Sequence, residues 1–87
     1  MKYEVAYTQQ AVRELRKLDR YTRDLILSWI EKNLVGCSDS RRYGKGLTAS
    51  RTGQWRYRIG GYRLIAEIDD GKVTILLLSI GHRREIY

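Results

Sequence analysis

Nine residues, Trp55 to Arg63 (WRYRIGGYR), constrain the fold more than any other stretch. Gly60 and Gly61 sit between two runs that alternate in character. A two-residue hairpin turn needs positive φ angles, which glycine adopts without steric penalty. The pair therefore predicts a tight β-hairpin in which Ile59 faces Tyr62, Arg58 faces Arg63, Tyr57 faces Leu64 and Arg56 faces Ile65. Successive side chains of a strand point to opposite faces. Trp55, Tyr57, Ile59, Tyr62, Leu64, Ala66 and Ile68 thus share one face, which reads as core. Arg56, Arg58, Arg63, Ile65 and Glu67 share the other. That second face sets two guanidinium groups directly across from each other. Like charges so placed destabilise a sheet, and a folded chain tolerates them best with an anion between them. The plainer alternatives are that both arginines splay into solvent or that Glu67 neutralises part of their charge.

The rest of the chain supplies a partner layer for the core face. Tyr3, Val5 and Tyr7 alternate within Lys2 to Tyr7, which predicts a strand. Thr8 is placed to cap a helix carrying Val12, Leu15 and Leu18 at helical spacing. Asp19 is placed to cap a second helix, from about Arg20 to Leu34, with an apolar stripe of Tyr21, Leu25, Trp29, Ile30 and Leu34 broadened by Ile26 and Leu27. Gly36 ends it. Residues 35 to 53 then form a long, polar, Gly-rich loop, of the kind that is usually functional or mobile, with Leu47 as a possible pin to the core.

Three strands follow: Gln54 to Ile59, Tyr62 to Asp69 and Lys72 to Ile80. Asp70-Gly71 predicts a second two-residue turn. It pairs Asp69 with Lys72, Leu64 with Leu77 and Arg63 with Leu78. The last strand is apolar on both faces, as interior strands are. Leu76, Leu78 and Ile80 should lie beside Ile65 and the arginines, under either the C-terminal tail or another chain. The expected architecture is one α+β domain over residues 1–87: a two-layer fold with an N-terminal strand and two antiparallel helices packed on a three-stranded antiparallel meander.

Composition excludes several classes. No apolar run approaches the ~20 residues of a membrane span, and the N-terminus lacks a signal-peptide pattern. One cysteine, Cys37, permits no internal disulfide and fits a cytoplasmic protein. The net charge of +7 favours a polyanion: nucleic acid, a ribosome or an acidic protein. The excess concentrates in residues 36–52, with four basic side chains against one acidic, where residues 1–35 hold seven against five. Arg41, Arg42, Lys45 and Arg51 in that loop, with Arg56, are candidate RNA contacts. One Cys and one His, with no paired carboxylates at ligand spacing, give no metal site, and no cofactor is expected.

Gly81 is expected to end the last strand, so that the tail GHRREIY starts near the Gly60-Gly61 turn. His82, Arg83 and Tyr87 then come close to Arg58 and Arg63. Guanidinium forks bind phosphate oxygens bidentately and stabilise charge growing on a phosphorane. Arginine is a poor base, its pKa exceeding ~12. His82, the only histidine, is suited to proton transfer, and Tyr87 to stacking on a base or donating a proton. With an adjacent 2′-OH as nucleophile, RNA cleavage needs no metal, which favours RNA over DNA. Arg63 faces Arg58, so its removal is expected to leave stability unchanged or slightly improved.

The segments WRYRIGGYRLIAEI and VTILLLSIGHRREIY resemble the RelE side of the RelE/ParE toxin superfamily, and the likeness extends over nearly the whole chain. Its most specific parts are the WRYR–GYR hairpin and the terminal GHRxxxY. The resemblance implies a type II toxin that cuts mRNA in the ribosomal A site. It also implies a cognate RelB-like antitoxin, acidic or amphipathic, that wraps and inhibits it and through which the complex reaches operator DNA. It places Arg63 as the phosphate-stabilising arginine, Arg83 as the arginine after the last strand and Tyr87 as the terminal tyrosine. Arg56 and Arg58 stand where well-studied members carry lysines, which makes His82 the natural candidate for the general base, with Lys45 a replacement for the missing lysine that the sequence does not place. A ParE-like inhibitor of DNA gyrase, without catalysis, is the main alternative, and a non-catalytic nucleic-acid-binding module is a third.

Overall fold

A computed structural model describes residues 2–46 and 54–82. It holds β1 (Glu4–Tyr7), α1 (Gln9–Lys17), α2 (Arg20–Asn33), β2 (Lys45–Gly46), β3 (Gln54–Ile59), β4 (Tyr62–Asp69) and β5 (Thr74–His82). The five strands form one sheet in the order β1-β5-β4-β3-β2. β1 runs parallel to β5, and the other pairings are antiparallel. The α+β two-layer architecture is as expected, with β2 as an unforeseen edge strand inside the long loop.

Both helix starts follow their sequence signals. The Thr8 hydroxyl accepts from the Ala11 amide at 3.1 Å, and the Asp19 carboxylate accepts from the Thr22 amide at 3.1 Å and hydroxyl at 2.6 Å. These bonds satisfy amide donors that a helix leaves open in its first turn, and they hold the Asp19 carboxyl below its usual range. On α1, Ala11 and Leu15 are buried, with Leu18 packed beside the core. On α2 the buried line is Ile26, Ile30 and Leu34. Tyr21 and Leu25, expected on that stripe, are 76% and 47% exposed. Residues four apart stack on one helix face, so the line through residue 26 excludes the line through 21 and 25. The core joins these residues to Tyr57, Ile59, Leu64, Ala66, Ile68, Ile75, Leu77 and Ile80.

The first hairpin has the expected register throughout, with Ile59 opposite Tyr62 and Arg58 opposite Arg63. The second does not. Asp69 pairs with Thr74 rather than Lys72. The Asp69 carboxylate accepts from the Lys72 amide at 3.1 Å, and Val73 takes a left-handed φ of 51°. The turn therefore uses two more residues than Asp70-Gly71 implies. A bulge adds a third. Ala66 pairs with Leu77 but Ile65 with Ser79, so Leu78 has no residue opposite. Together these shifts move Leu64 from Leu77 to Ile80, and Arg63 from Leu78 to Gly81.

The bulge explains why Ile75, Leu77 and Ile80 are all core residues. Strict alternation brings residues 75 and 77 inward but sends 80 outward, and one extra residue reverses the parity. Ile80 therefore leaves the apolar strip in which it was expected. Ile65, Leu76 and Leu78 remain half-buried. Gly81 does not end the strand, because it pairs with Arg63 within the β4–β5 ladder.

As far as Gly46 the loop is fastened to the fold. Gly36 and Cys37 exchange backbone hydrogen bonds with Tyr3 at 2.9 and 2.8 Å. The buried Tyr57 hydroxyl donates to the Ser40 carbonyl at 2.6 Å, and Trp55 Nε1 donates to the Tyr43 carbonyl at 2.6 Å. Trp29 meets Tyr43 edge-on at 5.6 Å. Trp55 and Tyr62 are partly buried against the core, as expected of core aromatics. Leu47 lies outside the described residues.

Candidate nucleic-acid interface

Side chains opposite one another on paired strands share a face. β2 sets Lys45 opposite Arg56, and Arg56 lies opposite Ile65, itself opposite Ser79. The next row on the same face is Arg58, Arg63 and Gly81. Four cations, Lys45, Arg56, Arg58 and Arg63, therefore occupy two neighbouring rows beside the Gly60-Gly61 turn. Directly opposed Cβ atoms lie roughly 5 Å apart and alternate residues of one strand roughly 7 Å apart. That spacing suits oxygens of one or two phosphates.

Arg63 is 5% exposed, whereas Arg58 and Lys45 are exposed. Gly81, directly across from Arg63, contributes no side chain to this face, and the Arg63 Nε and Nη1 atoms are themselves buried. Because Arg63 is buried, its truncation is expected to remove packing contacts and lower stability, against the expectation that it can be removed freely.

The face is polarised along its length. At the far end Arg41, Glu67, Asp69, Asp70, Lys72 and Leu76 are among the residues lining a cavity of about 690 Å³. There Arg41 donates to both Asp70 carboxylate oxygens, at 3.0 and 3.1 Å, and the Tyr3 hydroxyl donates to Asp70 at 2.6 Å. The two donors hold the Asp70 carboxyl below its usual value. Arg41, expected as an RNA contact, is thus engaged in a clasp between the loop and the β4–β5 turn. Arg42 lies over the Tyr43 ring at 5.7 Å. Arg51, Arg83 and Tyr87 lie outside the described residues.

His82 is where the expected cluster divides. It pairs with Tyr62 across β4 and β5, and the two rings meet edge-on at 5.5 Å. Tyr62 belongs to the core face, so His82 points to the helix side. There it lines a small cleft with Glu14, Lys17, Leu18 and Ile80. Arg58 and Arg63 point the other way. The bulge at Leu78 produces this separation, by shifting the alternation one residue before His82 is reached.

Sequence reasoning left Lys45 unplaced. Its signal was the bracket Gly44-Lys45-Gly46: Gly44 has a φ of +77° and lies against the Arg56 backbone, which lets a short strand dock on β3. Among the described residues, no group of three His, Cys, Asp or Glu side chains is arranged to hold a metal ion, and no helix is long and apolar enough to cross a membrane.

Comparison with known proteins agrees with this architecture. A family profile described as the ParE toxin of the type II toxin–antitoxin system parDE matches residues 5–87. Toxin RelG of Mycobacterium tuberculosis is 33% identical over 87 residues, covering 100% of this chain and 98% of that protein. A RelBE toxin–antitoxin complex from M. tuberculosis superposes with a TM-score of 0.84 at 30% identity, over 98% of this chain and 95% of its counterpart. The isolated RelE toxin of E. coli superposes with a TM-score of 0.67 at 27% identity, over 98% and 90% of the two chains.

Proposed function

Because the chain belongs to the RelE/ParE superfamily of type II toxin–antitoxin toxins, we propose that it is a ribosome-dependent endoribonuclease that cuts mRNA in the A site. The observation that carries this reading is the pair of cationic rows formed by Lys45, Arg56, Arg58 and Arg63. A phosphodiester seated there meets several guanidinium forks at once. The reaction uses no metal: the 2′-oxygen attacks the adjacent phosphorus, the P–O5′ bond breaks, and a cyclic 2′,3′-phosphate and a 5′-hydroxyl result. The 2′-OH proton passes to a base, and the 5′-oxygen takes up a proton as it leaves. Arg63 and Arg58 stabilise the charge on the non-bridging oxygens, the kind of contribution that is usually largest.

The two candidate bases lie on opposite faces of the sheet. His82 faces the helices, whereas Lys45 stands on the arginine face, and an amine exchanges a proton far more readily than a guanidinium. Lys45 is an exposed ammonium, a donor without an acceptor site, so in this reading it supplies the proton to the departing 5′-oxygen while the 2′-OH proton passes to solvent or a ribosomal group, and Arg83 and Tyr87 add the roles that the family resemblance gives them. The proposed partners are the ribosome with its mRNA, in the cytoplasm, and an acidic, amphipathic RelB-like antitoxin. Operator DNA is reached only through the antitoxin complex.

The parDE description of the matching family favours a second reading, a gyrase inhibitor without catalysis. Pulse labelling after induction of the chain alone separates the two. The nuclease reading predicts that amino-acid incorporation stops first. Thymidine incorporation stopping before protein synthesis would instead establish the gyrase reading.

A further inference from the structure

The outer edge of β5 is completed by a helix rather than by a strand. β1 runs beside β5 only as far as Tyr7 opposite Leu77. Beyond that point the chain turns into α1, and two of its side chains take over the edge. The Thr8 hydroxyl, which caps α1, donates to the Leu77 carbonyl at 2.9 Å and the Leu78 carbonyl at 3.1 Å. Further along, a Glu14 carboxylate oxygen accepts from the Ile80 amide at 2.9 Å. These contacts bracket the bulged residue Leu78. A bulge disrupts the ladder and leaves backbone groups in need of partners. Here the Thr8 hydroxyl reaches the Leu78 carbonyl and Glu14 the Ile80 amide, while the Leu77 carbonyl accepts from the Thr8 amide, at 3.0 Å, as well as from its hydroxyl.

The register so fixed governs the cationic face. A straight ladder continued from the Ala66–Leu77 pair would set Leu78 opposite Ile65, Ser79 opposite Leu64 and Ile80 opposite Arg63. The branched Ile80 side chain would then stand beside the Arg63 guanidinium, where a phosphate is to sit. With the bulge, Gly81 takes that place and Ile80 enters the core. We infer that Thr8 and Glu14 are positioning residues for the phosphate-binding face: their bonds to the β5 edge hold the bulge that keeps Gly81, not Ile80, across from Arg63. This rests on the nuclease reading for its consequence, though not for its geometry.

The test compares Glu14→Ala, which removes the acceptor, with Glu14→Gln, whose amide oxygen still reaches the Ile80 amide. Two readouts are needed on the full-length chain: amide exchange at Ile80 with cross-strand Arg63–Gly81 NMR contacts, and single-turnover cleavage on saturating ribosomes. In Glu14→Ala, Ile80 exchange should quicken at least about tenfold, the Arg63–Gly81 contacts should weaken, and cleavage should slow by about 10- to 100-fold, the scale of a misplacement near 1 Å. Ribosome affinity should change by less than about twofold, and Glu14→Gln should restore all of these. Wild-type cleavage by Glu14→Ala overturns the inference, as does slowed cleavage with Ile80 exchange and register unchanged. Failure of Glu14→Gln to restore cleavage while Ile80 stays protected also overturns it. If Glu14→Ala does not fold, Glu14→Asp, one methylene too short, carries the same expectations. If the wild-type chain does not cut on ribosomes, the nuclease reading falls, and exchange and register still judge the latch.

Discussion

Arg63→Ala will lower single-turnover cleavage of ribosome-bound mRNA by about 10²- to 10³-fold, the usual effect of deleting one donor aimed at developing charge. Ribosome affinity will fall far less, by no more than about tenfold, because phosphate attraction is spread over Lys45, Arg56, Arg58 and the loop cations. The variant will not match wild-type stability, since Arg63 is 5% exposed and its packed stem is lost. Arg63→Lys separates the two effects. It keeps a long stem and the charge but not the two-pronged donor. It should fold like the wild type and still lose at least about tenfold in cleavage. Single-turnover rates beside thermal unfolding of both variants check this. Cleavage within a few-fold of wild type in both would remove Arg63 from the chemistry, and full activity in Arg63→Lys alone would make its charge sufficient.

Gly44→Ala will be the most damaging glycine-to-alanine change among the described residues of the loop. A Cβ at Gly44 would lie 2.1 Å from the Arg56 carbonyl oxygen and 3.0 Å from Trp55 Nε1, at a φ of +77°. The obstructing atoms are backbone and a tethered indole, so they yield only if β2 separates from β3. Left-handed strain of about 1–3 kcal/mol combines with the clash, for an expected loss of about 2–4 kcal/mol. In a domain of this size that lowers Tm by roughly 10–25 °C. Gly36 provides the control: its φ is +75°, but nothing lies within 4 Å of an added Cβ. Gly36→Ala should therefore incur the strain alone, about 1 kcal/mol. Thermal unfolding of both variants decides, and equal losses would show that the close approach at Gly44 does not matter. Because Gly44 precedes Lys45, cleavage should fall with stability in Gly44→Ala but not in Gly36→Ala.

The contrast between the two hairpins shows how much of this was legible. Gly60-Gly61 forced a two-residue turn, so every pair from Trp55 to Ala66 and the whole arginine face could be read from local residues. Asp70-Gly71 carries a similar local signal, yet the Asp69 side chain bonds the Lys72 amide and lengthens the turn. No local pattern announces the bulge at Leu78. It depends on Thr8 and Glu14, more than 60 residues away in sequence. Simple alternation along the strand therefore puts Ile80 on the arginine face and His82 beside the arginines, whereas the bulge turns both toward the helices. The edge strand at Lys45 was hidden for a different reason. Two residues are too short for a periodic signal, and β2 exists because Gly44 allows its backbone to approach β3.

The central claim is that the cationic face of the sheet cuts RNA only when the ribosome presents it. In the proposed reading the face would hold a phosphate but offer few groups for proton transfer, so alignment of the 2′-oxygen would have to come from the ribosome. Such orientation contributes up to ~7–11 kcal/mol. The decisive measurement is primer extension on a defined mRNA incubated with the purified chain, with and without ribosomes stalled at a known codon. Cleavage confined to the A-site codon, and faster by several orders of magnitude with ribosomes, is the predicted result. Equally rapid cutting of the free RNA, or intact mRNA on ribosomes at saturating protein, would contradict it.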